Sequence, residues 1–481
     1  MFTDVGAEPV RPKVSLNANQ PLDLAGRHVH FVGIGGCGMS GLARMVRHAG
    51  GLCTGSDVAP SDTVRKLQLE GIAVATRQTA ATVPDECDLL VISAAIKADH
   101  PEVITATERG VPVIKYAQLL GRLMIGRTGV AIAGTHGKSS TTSMLAHVLI
   151  QTGLDPSFIV GATCKQIGGG ARTGESPLLV AEACEYDRSF HNFHPTHAVI
   201  LNVEADHLDL YKSLDEVVES FAVFARRVPK HGSLLLNHEM PHRLAITAGL
   251  DCGIETIGFA PQADWRVYAN GGPKVRLTRD GEPVCEWTSP MPGEHMAYNA
   301  AVAAVTAHRL GAAWDDIAAA LATFEGLDRR MQRLGTRSVA GKSKDQVTVI
   351  DDYGHHPTEI DTTLRALRRH YKPKRLICVF QPHQHSRTRF LMEQFAASFA
   401  AADTVIVPDI YFSRDSEAER RAVTAADLVD RLRNQGVTAM HLYPFAAIVE
   451  QLRVITKGGD LVVTMGAGDV WKVAHAFLNA G

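Results

Sequence analysis

Gly129-Val-Ala-Ile-Ala-Gly-Thr-His-Gly-Lys-Ser-Ser-Thr-Thr-Ser-Met-Leu145 reads as a short buried strand, a glycine-bounded turn and the start of a helix. Met144, Leu145, Val148 and Leu149 follow at helical spacing, and Gly153 offers a stop. Such a turn points backbone N–H groups and the positive end of a helix dipole at one spot, which suits a phosphate. Lys138 adds a mobile charge for the β- and γ-phosphates, and Ser139 a hydroxyl for magnesium. Gly134, Thr135, His136, Gly137 and Ser140 complete the candidate nucleotide loop. Ile132 stands where the general phosphate-loop pattern has its early glycine, so this is a shorter variant.

A second strand–glycine–helix unit precedes it. In His28-Val-His-Phe-Val-Gly-Ile-Gly-Gly-Cys-Gly-Met-Ser-Gly41, residues Gly33, Gly35 and Gly38 satisfy Gly-x-Gly-x-x-Gly. Leu52-Cys-Thr-Gly-Ser-Asp57 is then a strand ending in an acid, where a Rossmann-type fold places the residue meeting a ribose hydroxyl. The motif supports a diphosphate on a helix N-terminus and does not by itself specify NAD. A nicotinamide dehydrogenase reading leaves Lys138 and the acids beyond it without a purpose.

Two later strand candidates end in polar clusters, Glu182-Ala-Cys-Glu-Tyr-Asp187 and Glu204-Ala-Asp-His-Leu-Asp209. Acids and a histidine at strand ends beyond a phosphate loop are where magnesium ligands belong. Residues 265–288 alternate around Asp280-Gly281 and read as a small hairpin insertion. Gly168-Gly-Gly170 reads as a flexible loop. Pro292-Gly-Glu-His-Met-Ala-Tyr-Asn299 starts an Ala-rich helix that ends near Gly311, and Arg329-Arg330 lie near a domain junction. Beyond it another α/β unit is expected: Val347 to Pro357 reads as a strand running into a polar loop, the stretch from Leu376 repeats that design, and Thr404–Pro408 and Leu461–Asp469 are further strand candidates.

The 481 residues are 45% hydrophobic and 21% charged, which suits about three ordinary α/β domains. A formal net charge of −2 gives no broad pull toward nucleic acid or anionic membrane. The eight cysteines are scattered with no Cys-x-x-Cys pair, so free thiols in a reducing compartment are expected. Residues 1–25 lack a basic start with an apolar core, and no apolar run has membrane-spanning length. A cytoplasmic protein is the resulting expectation.

These motifs together resemble the Mur ligases. The resemblance rests on Gly33-Ile-Gly-Gly-Cys-Gly-Met-Ser40, Gly134-Thr-His-Gly-Lys138, Glu182-Ala-Cys-Glu-Tyr-Asp187, Asn202-Val-Glu-Ala-Asp-His207, Asp351-Asp-Tyr-Gly-His-His-Pro-Thr-Glu359 and Gln381-Pro-His383. It spans nearly the whole chain past residue 25. It implies three domains: a Rossmann-like one at 1–127 for a UDP-sugar, a central mostly parallel phosphate-loop domain at 128–327 for ATP, and a Rossmann-like one at 328–481 for the amino acid. Gly33, Gly35, Gly36, Gly38, Met39, Ser40 and Asp57 would then serve the UDP-sugar. Glu182 and His207, with Ser139, would hold Mg2+. His295 and Asn299 fall in the segment contacting adenine, Arg330 matches a phosphate-contacting arginine, and Asp351 and Tyr353 lie in a loop holding the nucleotide. His355 and Arg387 match positions at the incoming amino acid.

Two features bear on the branch. Sister ligases use a carbamylated lysine beyond the Asp-His motif, whereas Ser220-Phe-Ala-Val-Phe-Ala-Arg-Arg227 offers none. That fits the branch taking UDP-N-acetylmuramate and L-alanine as substrates, as does Tyr353-Gly354, where the branch that recycles a whole tripeptide tends to carry Phe-Ala. Gln384 stands where the family offers a second arginine, so a carboxylate clamp with one arginine is expected to be weaker or to be completed by another residue, with Arg389 as the candidate. The expected assembly is a monomer or weak homodimer.

Overall fold

The computed structural model describes residues 17, 20–207, 210–270, 272–339 and 342–479, with the side chains of 342–344 left aside. Leu208 and Asp209 of the second acidic cluster lie outside the described residues, as does most of the 1–25 stretch read for a leader.

Three sheets form in chain order. The first has five parallel strands in the spatial order Ala73–Ala75, Leu52–Ser56, His28–Val32, Leu89–Ile92, Val113–Lys115. This is the doubly wound order, with a crevice beyond the central strand where the connection reverses. Its apolar runs are buried: Leu89 to Val91 are fully enclosed, as expected of strands covered on both faces.

The second sheet has ten strands and places Thr128–Ala133 between His197–Ile200 and Leu178–Ala183, all parallel. The helix Lys138–Gln151 that follows is buried on nearly every side. It lies under the Ala-rich helix Glu294–Arg309, whose Ala300, Ala301, Ala303, Ala304 and Ala307 let the two approach closely and join one apolar core. A helix sandwiched this way needs no polar face, so Ser139 to Ser143 are buried along with the apolar Met144, Leu145, Val148 and Leu149.

The hairpin is present, with strands Lys274–Arg279 and Glu282–Thr288 joined by Asp280 at φ 52° and Gly281 at φ 85°. Left-handed conformations at both turn residues match the strand twist. It is not a separate insertion, because Trp265–Tyr268 joins it to the edge of the main sheet through Gly253–Gly258. Gly168-Gly-Gly170 also departs from the expected loop: Gly169–Arg172 is an edge strand beside Ser157–Cys164. A Cβ on Gly170 would sit 2.3 Å from Cys37 Sγ, so the glycine lets the first domain's helix dock against this edge.

The third sheet runs Gln332–Val339, Lys342–Asp352, Leu461–Met465, Leu376–Phe380, Thr404–Val407, Ala439–His441, with only the first pairing antiparallel. Arg329 and Met331, at φ 60° and 47°, turn the chain sharply into it. Arg329 bonds Asp351 at 3.1 Å and the carbonyls of Gly466 and Gly468 at 2.6 and 3.2 Å, fastening the junction to the sheet's carboxyl edge.

Candidate active site

The loop after Thr128–Ala133 is held open by glycine geometry. Gly137, at φ 84°, opens the helix, and a Cβ there would meet Asn299 Oδ1 at 2.8 Å. Asn202, at the end of the neighbouring strand, clamps the loop: its Oδ1 accepts from His136 N at 2.7 Å, its Nδ2 donates to His136 O at 3.1 Å, and its carbonyl accepts from Thr135 N. The sequence reading missed Asn202 as a loop holder, although a polar residue closing a buried strand was its signal.

Lys138 Nζ donates to Gly134 O at 2.5 Å and Thr135 O at 3.1 Å and lies 2.9 Å from Glu185 Oε2. Burial opposes its charge, but Glu185 and Glu182 outweigh burial and hold the ammonium protonated. A triphosphate entering the loop would therefore meet a fixed cation. Ser139 Oγ donates to Glu182 Oε1 at 3.1 Å, and Glu182 Oε2 accepts from Gly161 N at 2.7 Å. A hydroxyl and a carboxylate side by side at a helix start are the oxygen donors that a magnesium ion takes. His207, at φ 54°, faces Glu185 Oε1 at 3.8 Å and Asp206 Oδ2 at 3.9 Å, and its buried Nδ1 has no hydrogen-bond partner.

An open cleft of about 710 Å³ lies between this loop and the third domain. Of the expected nucleotide residues, His136, Gly137, Ser140, His295, Asn299 and Arg330 line it. Burial pushes His295 down to about 4 despite Glu359, so its ring is neutral and can accept or donate a hydrogen bond. Arg330 Nη1 is 3.5 Å from Glu359 Oε1 and packs 5.0 Å over the Tyr353 ring. Two expectations change here. Asp351 turns away from the cleft, bonded to Arg329 and Thr464 Oγ1, and Asp352 takes its place in the wall. Tyr353 supports Arg329 and Arg330 from behind and does not line the cleft. Adjacent strand residues point to opposite faces, so a shift of one position decides which acid is offered.

Glu204 and Glu359 stand in motifs read from the sequence but received no role of their own there, and both line the cleft beside the loop. Glu359 Oε1 sits 3.3 Å from His136 Nδ1, and Glu204 Oε2 sits 3.6 Å from its Nε2. Burial works against a charged His136, but the two carboxylates raise it to about 9.

On the amino-acid side, Arg387 donates from Nε and Nη2 to Asp206 Oδ1 at 3.1 and 2.7 Å. Burial would raise Asp206, but Arg387 and His207 outweigh it and hold the carboxyl far below its usual range. His355 Nδ1 faces Tyr353 O at 3.2 Å, and burial pushes the imidazole down to about 3. Arg389 does not complete a clamp: it pairs with Glu419 on the surface at 2.9 Å. Gln384, at φ 72°, is buried beside Arg387 with Nε2 unpartnered, and so offers a neutral donor there.

The first domain's loop behaves differently from expectation at three residues. Met39 is buried in the apolar core, and Ser40 Oγ bonds back to Cys37 O at 2.9 Å, so neither side chain faces the crevice. Asp57 Oδ2 accepts from Gly35 N at 2.8 Å and Oδ1 from Ala59 N at 2.9 Å. Its carboxylate shapes the glycine loop. Gly36 caps the helix and Gly38 packs under Tyr116, where a Cβ would meet the ring at 2.6 Å.

Lys138–Glu185 at the phosphate loop and Arg387–Asp206 at the third domain thus form two ion pairs with His207 between them, the arrangement of a three-domain phosphate-loop enzyme that brings a nucleotide and a carboxylate together. Residues 28–128 match the description "Mur ligase family, catalytic domain", 132–307 "Mur ligase middle domain" and 329–468 "Mur ligase, glutamate ligase domain". The chain belongs to the Mur ligase family. It is 39% identical over 459 residues to UDP-N-acetylmuramate–L-alanine ligase of Clostridium novyi, covering 94% of this chain and 98% of that one. The UDP-N-acetylmuramate-alanine ligase structure from Thermotoga maritima aligns with a TM-score of 0.75 at 25% identity, covering 94% and 98%. A murein peptide ligase from Psychrobacter arcticus shares the fold, with a TM-score of 0.66 at 24% identity over 95% and 98%.

Proposed function

We propose that this chain joins L-alanine to the lactyl carboxylate of UDP-N-acetylmuramate at the cost of ATP, releasing ADP and phosphate. The observation that carries this reading at the site is the succession Lys138–Glu185, His207, Asp206–Arg387, in which two ion pairs flank one histidine and set a phosphate grip beside a carboxylate grip. The division of labour follows the sheets: residues 1–127 hold the UDP-sugar, 128–327 the nucleotide and 328–481 the amino acid. The reaction belongs to peptidoglycan precursor synthesis, in the bacterial cytosol. Among the described residues no helix is long and apolar enough to cross a membrane.

A carboxylate is a poor acyl donor, so the lactyl group must first be activated as an acyl phosphate. That step brings an anion toward a polyanion, and stabilising the charge is the main catalytic task. Lys138 and the loop amides bind the β- and γ-phosphates; His295 and Asn299 contact adenine, and Arg330 approaches from the third domain. Magnesium would be held by Ser139 and Glu182, with His207 facing the site, and supplies positive charge to the phosphates. L-Alanine then presents its carboxylate to Arg387 and Gln384, in competition with Asp206. Its neutral amine attacks the acyl carbon and phosphate leaves. The amine's proton goes more readily to a phosphate oxygen than to His355, because an imidazole held near 3 is a weak base.

Phosphate release measured with UDP-N-acetylmuramate, ATP and one amine at a time tests the reading. L-Alanine should give the highest kcat/KM, with no release when either sugar or amino acid is omitted. Release with the tripeptide and none with L-alanine would transfer the chain to the recycling reaction.

A further inference from the structure

Three segments converge where the third domain meets the phosphate loop. His136 comes from the loop itself, Glu204 from the chain after strand His197–Ile200, and His356 from the cap of helix Pro357–Tyr371. One ligand atom from each lies within 4.8 Å of the other two. His136 Nε2 stands 3.6 Å from Glu204 Oε2, and His356 Nδ1 stands 3.8 Å from the same oxygen. Both separations are long for hydrogen bonds. They are near the edge, about 3.3 Å, of a tetrahedron of nitrogen and oxygen ligands around zinc.

The far sides of both rings are already engaged. His136 Nδ1 faces Glu359 Oε1 at 3.3 Å, and His356 Nε2 faces the Ala205 carbonyl at 3.3 Å. The Ala205 carbonyl behind His356 fixes the tautomer that turns its Nδ1 lone pair inward, and the Glu359 carboxylate behind His136 holds the Nδ1 proton, so that an ion taking the place of the Nε2 proton meets the outer-shell arrangement of metal-binding histidines. His136 Nε2 is buried without a hydrogen-bond partner. Thr358 Oγ1 orients Glu204 by donating to Oε2 at 2.6 Å. A long bond from Thr358 N to His356 Nδ1, 3.3 Å, is what an ion would displace.

We propose that His136, Glu204 and His356 form a binding site for a zinc-type divalent cation, distinct from the nucleotide's magnesium, that pins the third domain to the phosphate loop. Two imidazoles and one carboxylate favour zinc, cobalt or nickel over magnesium, which demands oxygen. His136 and Glu204 line the nucleotide cleft, so the fourth coordination position opens toward it. An ion there ties the two walls together and restricts entry of ATP.

Titration of the full-length, nucleotide-free chain with Co2+ tests this. The expected result is the intense visible absorption of four-coordinate cobalt at one ion per chain, displaced by Zn2+. Glu204→Gln and His356→Gln should each weaken it about tenfold or more, while His207→Ala retains it. Zinc inhibition of the magnesium–ATP reaction should weaken in parallel in His356→Gln. Absorption that disappears with His207→Ala and survives in the other two would overturn the site, as would only weak, six-coordinate absorption. X-ray absorption of the zinc-loaded wild type gives a reading independent of variant folding. Two imidazoles and one carboxylate support the proposal, and an oxygen-only shell refutes it.

Discussion

The two glycine loops of this protein begin alike, each a buried parallel strand turning into a helix, and finish differently. In the first, an acid folds back on its own loop: Asp57 accepts from Gly35 and Ala59 amides. In the second, the basic Lys138 is bound by the loop carbonyls and by Glu185, and a hydroxyl sits beside Glu182. At the first loop, therefore, the acid is spent on the loop's own amides, and the diphosphate seat expected from the sequence would be made of backbone. The second has a side-chain cation and a place for a metal, the features needed to move a phosphoryl group. Two loops of one architecture are told apart by what surrounds the glycines.

The sharpest way to break this contrast is Lys138→Ala. Ligation should become undetectable in a phosphate-release assay, while equilibrium binding of UDP-N-acetylmuramate to the first domain stays within about twofold. Normal turnover would remove the distinction between the loops.

Glu182→Gln is the next largest. It keeps the side chain's shape beside Ser139 but removes a charge that a hard cation needs. The magnesium concentration for half-maximal activity should rise about tenfold, with unchanged half-saturation by UDP-sugar. An unmoved magnesium titration would mean that the ion is held elsewhere.

Sequence patterning made the three α/β units and both loops legible because buried parallel strands read as unbroken apolar runs and glycine turns have few alternatives. It could not show which side of a strand end faces the cleft. Asp351 and Asp352 are adjacent and chemically equal, and only the pleat and the partners Arg329 and Thr464 decide between them. Met39 and Ser40 sit in a motif, but the helix phase turns both inward. Glu204 meets Thr358, Glu359 meets His136 and Arg387 meets Asp206, each across a domain boundary. Such contacts have no local period, so no window along the chain contains them.

The cover over the second loop should also respond to acid in a way the first loop does not. Burial pushes His355 down to about 3 and His295 and His383 to about 4. Once unfolded, all three take protons near 6.5. Because the unfolded chain binds more protons below that pH, stability falls as pH drops from about 6.5 toward 4. Thermal midpoints across this window should decline less steeply in His295→Asn than in the wild type. Equal slopes would show that the ring is accessible to protons in the folded state.

Asp57→Asn should have the smallest effect, confined to the first loop. The Asn carbonyl can still accept one amide, but its Nδ2 would face the other N–H as a second donor. Losing one charge-assisted bond costs about 1–2 kcal/mol at a partly exposed site. Part of that cost appears as loop disorder before substrate binds, so the KM for UDP-sugar should rise a few-fold while the KM for ATP is unchanged. Had Asp57 served chiefly to bind a ribose hydroxyl, UDP-sugar affinity would fall without any change in the loop's amide exchange. Hydrogen exchange at Gly35 and Ala59 in the substrate-free chain separates the two, and faster exchange at both in the variant assigns Asp57 to shaping the loop.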